Sequence, residues 1–364
     1  MRGIAIVMVL FYHGFVTRQN FDAFSGFPKL VLRLLSPGWT GVNLFFALSG
    51  FLITGILLDS KHLPKYYGRF YRRRALRILP AYYALLVLLA AIGRYGLQGD
   101  KISFAFLGLS AIYLANVTVF FGVPMQFGIL WSLAVEEHFY LIWPAAVRHT
   151  SRRTLAVLAA LLALASTLAR VIAVRFGFDC FAHYSWLVAD GLALGSLLAA
   201  LVRGPLGTRR GLQLIVSAAV LGSFSLILID FLIHRPLAGG SLHITALNLL
   251  CMAAVGSSLL LGTSSWAFLA RHRALIFFGE ISYGLYLVHM LVFNVFDNLE
   301  HRFFPLAPSF RGHFGVMTVR FVIGASTAIL LAFLSRRYLE EPFLRRKDYG
   351  LPHESSGIRE TVAA

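Results

Sequence analysis

The sequence predicts an all-α, polytopic membrane bundle of about ten transmembrane helices, with both termini in the cytoplasm. Three observations predict it. Hydrophobic residues make up 58% of the 364 positions and charged residues only 13%, whereas an ordinary soluble domain is about 25% charged. Apolar runs recur at close to the roughly 20 residues that cross a bilayer. The Lys and Arg residues behind the net charge of +17 cluster in alternate short loops, the positive-inside pattern, and not along a groove that tracks nucleic-acid phosphates. A single soluble domain and a nucleic-acid partner are both set aside on these grounds.

Taken in order, spans are expected near 3–17, 39–59, 80–96, 128–147, 154–175, 185–202, 211–233, 244–262, 275–298 and 315–337. The first is read as a retained helix, because it lacks a small-residue cleavage site and contains His13. The stretch 102–125 is apolar but is interrupted by Gly108, Asn116, Gly122 and Pro124. Counting it as a span would scatter the basic residues over both faces, so it is expected to be re-entrant or interfacial, where protein or a watery cavity satisfies its backbone. On this count Lys61, Lys65, the Arg69 to Arg77 run, Arg148, Arg152, Arg203, Arg210 and Arg273 face the cytoplasm. The sparser set Arg18, Lys29, Arg94, Lys101, Arg235 and Arg320 faces outward. Residues 1–342 form the embedded domain, and the polar tail 343–364 is expected to be disordered. Cys180 and Cys251 have no metal-ligand spacing, so neither a disulfide framework nor a metal site is expected.

The residues that matter most are those hydrophobicity does not explain, since a charged group at a helix centre costs about 2.5–3.5 kcal/mol on insertion scales. Arg2 and His13 are eleven residues apart, about three helical turns, which puts both on nearly one face about 16 Å apart. That suits a long ligand lying along the helix, although an interhelical hydrogen-bonder and a topogenic charge would look the same. Glu136, Glu137 and His138 fall near mid-membrane, a functional-site hypothesis by default or else a lock on buried arginines. Ser49 and Gly50 would let a thin ligand or, more ordinarily, a neighbouring helix approach closely. The run Arg69, Arg72, Arg73, Arg74 and Arg77 lies at a cytoplasmic helix entrance and suits phosphate, anionic lipid or topology alike. His289 is a further mid-span polar residue.

Five segments, in order, resemble the acyltransferase-3 family of membrane acyltransferases: Arg2 to Ile6 with His13 following, Gly41 to Ile53, Phe70 to Pro80, Trp131 to Pro144, and Ile281 to His289. The resemblance runs from Arg2 to Pro342. It implies about ten spans in a bacterial cytoplasmic membrane and transfer of an acyl group onto a hydroxyl of a glycan or lipid-linked glycan. The donor would be an acyl-CoA, usually acetyl-CoA, as co-substrate, with no bound cofactor or metal. Residue by residue, the family's Arg-x10-His motif falls on Arg2 and His13, and its Arg-x-x-Arg motif on Arg74 and Arg77. The expected donor site is therefore Arg74 and Arg77 with Arg73 and Ser49. His13 is the expected general base or transient acyl carrier, with Glu136 or Glu137 orienting its ring. The family's acidic lead before the first Arg is missing, Asn43 stands where Asp is common, and the soluble C-terminal extension of some members is absent. The competing class is a transporter or flippase using the same polar core as a pathway.

Overall fold

The computed structural model describes residues 1–17, 21–94, 101–177, 183–232, 241–261, 272–303 and 313–345, and every regular element among them is helical. Fifteen α-helices follow in order: α1 Arg2–Phe11, α2 Gly26–Leu35, α3 Gly41–Asp59, α4 Tyr66–Arg94, α5 Phe104–Ala111, α6 Leu130–His149, α7 Arg152–Arg175, α8 Ser185–Val188, α9 Asp190–Val202, α10 Arg209–Leu232, α11 Ser241–Leu261, α12 Arg273–Glu280, α13 Ser282–Phe303, α14 Phe314–Leu334 and α15 Glu341–Leu344. A π-helical turn, Tyr12–Val16, prolongs α1. Cys180, Arg235 and most of the expected tail lie outside the described residues.

Six helical stretches are long and apolar enough to cross a membrane, and a seventh arises if α12 and α13, bent by 75°, make one span. By that measure the count falls short of the expected ten. The other three expected spans are helical too, but Arg2–Val16 and Asp190–Val202 are short, and α6 carries Glu136 and Glu137. Large apolar side chains stand exposed along α7, α10 and α14, Leu161, Leu214, Phe224 and Val322 among them. Such continuous apolar flanks need lipid rather than water around them. The chain is an integral membrane protein.

The stretch 102–125 holds only the eight-residue α5 and a 3₁₀ turn at Thr118–Phe121, too short to span. Its backbone is tied to α4 by Tyr82 and Tyr83, whose hydroxyls donate to the carbonyls of Ser110 and Ala111 at 2.7 and 2.9 Å. Two expectations need correcting. Pro80 does not begin a helix but lies inside α4, a position membrane helices tolerate where neighbours satisfy the freed backbone groups. Arg320 is not an outer-loop charge; it is buried within α14, 4% exposed, because Asp297 on α13 neutralises it there.

Small residues set the central packing. A methyl group added at Gly50 would collide with the Leu192 carbonyl, and one at Gly195 with the Ala47 carbonyl, so α3 and α9 meet backbone to backbone. Behind them Arg170 of α7 forks onto Asp190 of α9 at 2.9 and 2.6 Å, and Thr245 of α11 also binds Asp190, at 3.1 Å. With both charges wholly buried, the pair can persist only because each is hydrogen-bonded to the other.

Candidate active site

Among the described residues, two neighbouring cavities hold the candidate site, called inner and outer after the membrane side the sequence leads one to expect for each. The inner one is lined by Arg2, Arg74, Arg77, Ser49, Glu136, Glu137 and Tyr140 and bounded by Ser132, Tyr283 and Tyr286. Arg74 and Arg77 share a face of α4 because they are three residues apart. Arg73, rotated by about 100°, is not among the lining residues. The Arg74 guanidinium lies 5.3 Å from the Tyr140 ring centre. Glu136 accepts from Ser49 Oγ at 2.8 Å and from the Tyr140 hydroxyl at 3.2 Å. Four cavity residues from α3, α4 and α6 are thereby drawn together: Ser49 and Tyr140 hold the carboxylate, and Tyr140 carries the cation.

The outer cavity is lined by Tyr12, His13, Trp39, Asn43, Trp131, His183 and Asn248. Asn43 donates to Asn248 Oδ1 at 2.7 Å, which bridges α3 and α11 at its wall. Trp131 meets the Phe46 ring edge-on, centroids 5.9 Å apart. Val42, Phe46 and Tyr286 line both cavities, so these three side chains form the wall between them. Tyr286 is held there by a 2.6 Å hydrogen bond with Ser132.

Arg2 and His13 thus open into different cavities, although α1 runs directly into the π-helical turn that carries His13. The π-helical turn is the local reason His13 departs from a regular helix; such turns frequently mark functional sites. His13 Nδ1 lies 3.0 Å from the Val9 carbonyl and 3.4 Å from His289 Nε2. His289 is fully buried, and its own Nδ1 lies 3.0 Å from the Leu285 carbonyl. A carbonyl only accepts, so Nδ1 of His289 carries the hydrogen and Nε2 its lone pair. The neutral His13 ring then donates from Nδ1 toward Val9 and His289, which leaves Nε2 as its basic nitrogen. Glu136 is engaged with Ser49 and Tyr140 and not with this ring.

The sequence reading grouped most of these residues but missed the wall residues Phe46 and Tyr286, the partner Asn248, and the pairing of His13 with His289. It also passed over Asp297, Arg170 and Asp190, whose charges inside apolar runs were the available signal. Among the described residues no cluster of His, Cys, Asp and Glu could hold a metal ion.

Comparison with known proteins bears on the family of the chain. No solved structure matches the chain. It is 36% identical over 157 residues to the peptidoglycan O-acetyltransferase OatA of Listeria monocytogenes, covering 40% of this chain and 23% of that protein. It is 29% identical over 327 residues to the putative peptidoglycan O-acetyltransferase YrhL of Bacillus subtilis, covering 79% of this chain and 47% of that one. With the O-acetyltransferase OatA of Staphylococcus aureus it shares 25% identity over all of its own length and 60% of the relative's. The chain therefore spans at most about three-fifths of these relatives. A family profile described as an acyltransferase domain matches residues 1–337, and with nearly the whole described chain inside that match, the protein belongs to the acyltransferase-3 family.

Proposed function

We propose that this protein moves an acetyl group from cytoplasmic acetyl-CoA to a hydroxyl of a glycan at the outer side of a bacterial cytoplasmic membrane, with His13 as general base. The observation that carries this reading is the back-to-back pairing of two unlike cavities, cationic on one side and aromatic and amide-lined on the other. His13 stands on the outer side of the wall between them.

Coenzyme A carries phosphates, and the guanidinium forks of Arg2, Arg74 and Arg77 suit them. Its thin acyl-pantetheine arm would point at the wall formed by Val42, Phe46 and Tyr286. On the outer side the Trp39 and Trp131 rings and the Asn43 and Asn248 amides offer apolar faces and directed hydrogen bonds to a sugar. The relatives named as peptidoglycan O-acetyltransferases make peptidoglycan or its precursors the first acceptor to try. In the reaction His13 Nε2 takes the acceptor hydroxyl proton, the oxygen attacks the thioester carbonyl, and the C–S bond breaks. The departing thiolate receives the proton from the imidazolium, so the products are the O-acetyl ester and free CoA. Glu136 and Glu137 offset part of the charge of the three arginines.

The wall favours a second reading, in which Nε2 itself attacks the thioester and His13 carries the acetyl group until the acceptor arrives. Acetyl left on protein quenched without acceptor, and released by hydroxylamine, distinguishes it from direct transfer.

The test is CoA release by purified protein supplied with acetyl-CoA and peptidoglycan fragments. Arg74→Ala or Arg77→Ala raises the KM for acetyl-CoA, with Lys restoring it only in part. His13→Gln lowers kcat by about 10²–10⁴-fold while acetyl-CoA still binds. A flippase would consume no acetyl-CoA, and full turnover by folded His13→Gln would remove the general base from the account.

A further inference from the structure

The π-helical turn that carries His13 ends at Thr17, whose backbone is extended at φ −61° and ψ 131°. The last carbonyls of a helix have no intrahelical partner, and when buried they need one from elsewhere. Gly14, the residue after His13, is buried, and its carbonyl accepts from Arg320 Nη1 at 2.8 Å. The rest of that guanidinium grips Asp297: Nε donates to Oδ1, and Nη2 to Oδ2 at 2.8 Å. The face of Phe293 lies 4.8 Å from the same cation. The positive group therefore meets the negative end of the first helix, with its own counter-ion beside it.

The turn is also closely packed against α14. A methyl group at Gly14 would collide with the Phe321 ring, and that ring also stacks on Phe11 at 4.7 Å. Asp297 lies eight residues beyond His289 on α13, about 12 Å along the helix. One helix thus supplies both the imidazole that meets the His13 ring and the carboxylate that anchors the cap on the next peptide.

We propose that the Arg320–Asp297 pair is a positioning device for His13: it caps the Gly14 carbonyl and so fixes the π-helical turn that presents His13 to the outer cavity. The proposal rests on His13 acting in acyl transfer. Neither Arg320 nor Asp297 lines either cavity, so their effect must pass through the turn.

Full-length protein in detergent tests it, with melting temperature, acetyl-CoA KM and kcat read together. Removing one partner alone leaves an unpaired buried charge and endangers the fold, whereas replacing both by apolar residues of similar size often preserves it. The decisive variant is therefore the double substitution Arg320→Met with Asp297→Leu. It is expected to melt cooperatively near wild type and to keep the acetyl-CoA KM within about twofold. Its kcat should fall about 10- to 100-fold, the scale on which misplacing a reacting group by about 1 Å acts. Arg320→Lys, which retains the charge and a donor group but not the planar fork, should recover part of the lost kcat. Wild-type kcat in a folded double variant overturns the proposal. So does an equal loss in KM and kcat with a collapsed melting temperature, provided Arg320→Lys loses as much. If His13→Gln turns over normally, it is the underlying role of His13 that fails, whatever these variants do.

Discussion

At the scale of single residues, the proposed chemistry rests on the pairing of His13 with His289. The Leu285 carbonyl holds the tautomer of His289, and His289 together with the Val9 carbonyl holds that of His13. Replacing His289 by Leu removes the acceptor facing His13 Nδ1, while Gln restores one through its amide oxygen. His289→Leu should lower kcat by about tenfold or more, as loss of part of a base's support does within the range set by the base itself, and His289→Gln should recover most of it. Steady-state kinetics on both variants checks this; equal activity in His289→Leu and wild type would leave the buried imidazole a packing group. In the sequence His13 and Glu136 stand out as polar groups that an apolar segment does not explain, whereas Arg2, Arg74 and Arg77 stand out through the family motifs. The sequence did not show which of them meet. His13 and His289 are 276 positions apart, and no local periodicity links residues on the first and penultimate long helices. The carboxylates expected to orient His13 are instead placed on the other side of the wall, with Glu136 bonded to Ser49 and Tyr140.

At the scale of elements, adjacent residues on α3 divide two tasks. Ser49 faces the inner cavity and Glu136, while Gly50 lets the α9 backbone approach. The sequence could state both options for this pair, close helix packing or a thin ligand, but not that each residue takes one. Adding side-chain bulk at Gly50 should cost at least the 1–3 kcal/mol typical of overpacking, so Gly50→Val should lower the melting temperature or prevent recovery of folded protein. Ser49→Ala should leave the melting temperature near wild type and raise the KM for acetyl-CoA. The reverse pattern, tolerance at position 50 and unfolding at position 49, would contradict this division. Helix type and approximate limits were readable from apolar length, and the exceptions have physical causes. α4 runs through Pro80 because a membrane helix can lose one backbone bond where neighbours compensate. The π-helical turn at Tyr12–Val16 leaves no mark in composition, because it is held from outside by Arg320.

At the scale of the whole molecule, the charge distribution predicts the orientation, and the proposed function assigns a direction of transfer. Lys65, before α4, and Arg210, in the first turn of α10, fall in the basic set and Lys29 on the opposite side, so the positive-inside rule predicts a cytoplasmic place for the first two. Cysteines placed at Lys65 and Arg210 should resist an impermeant thiol reagent in intact cells, and one at Lys29 should react. Labelling of Lys65 and Lys29 positions from the same side would contradict the expected topology. The central claim is that acetyl passes from the arginine-lined cavity to a glycan in the cavity of His13. Vesicles carrying the protein in one orientation test it most directly, with radiolabelled acetyl-CoA enclosed on the arginine side and a soluble, impermeant peptidoglycan fragment on the other. The account predicts labelled O-acetyl sugar on the far side, lost in His13→Gln. Label that reaches the sugar only when donor and acceptor share one compartment would contradict it.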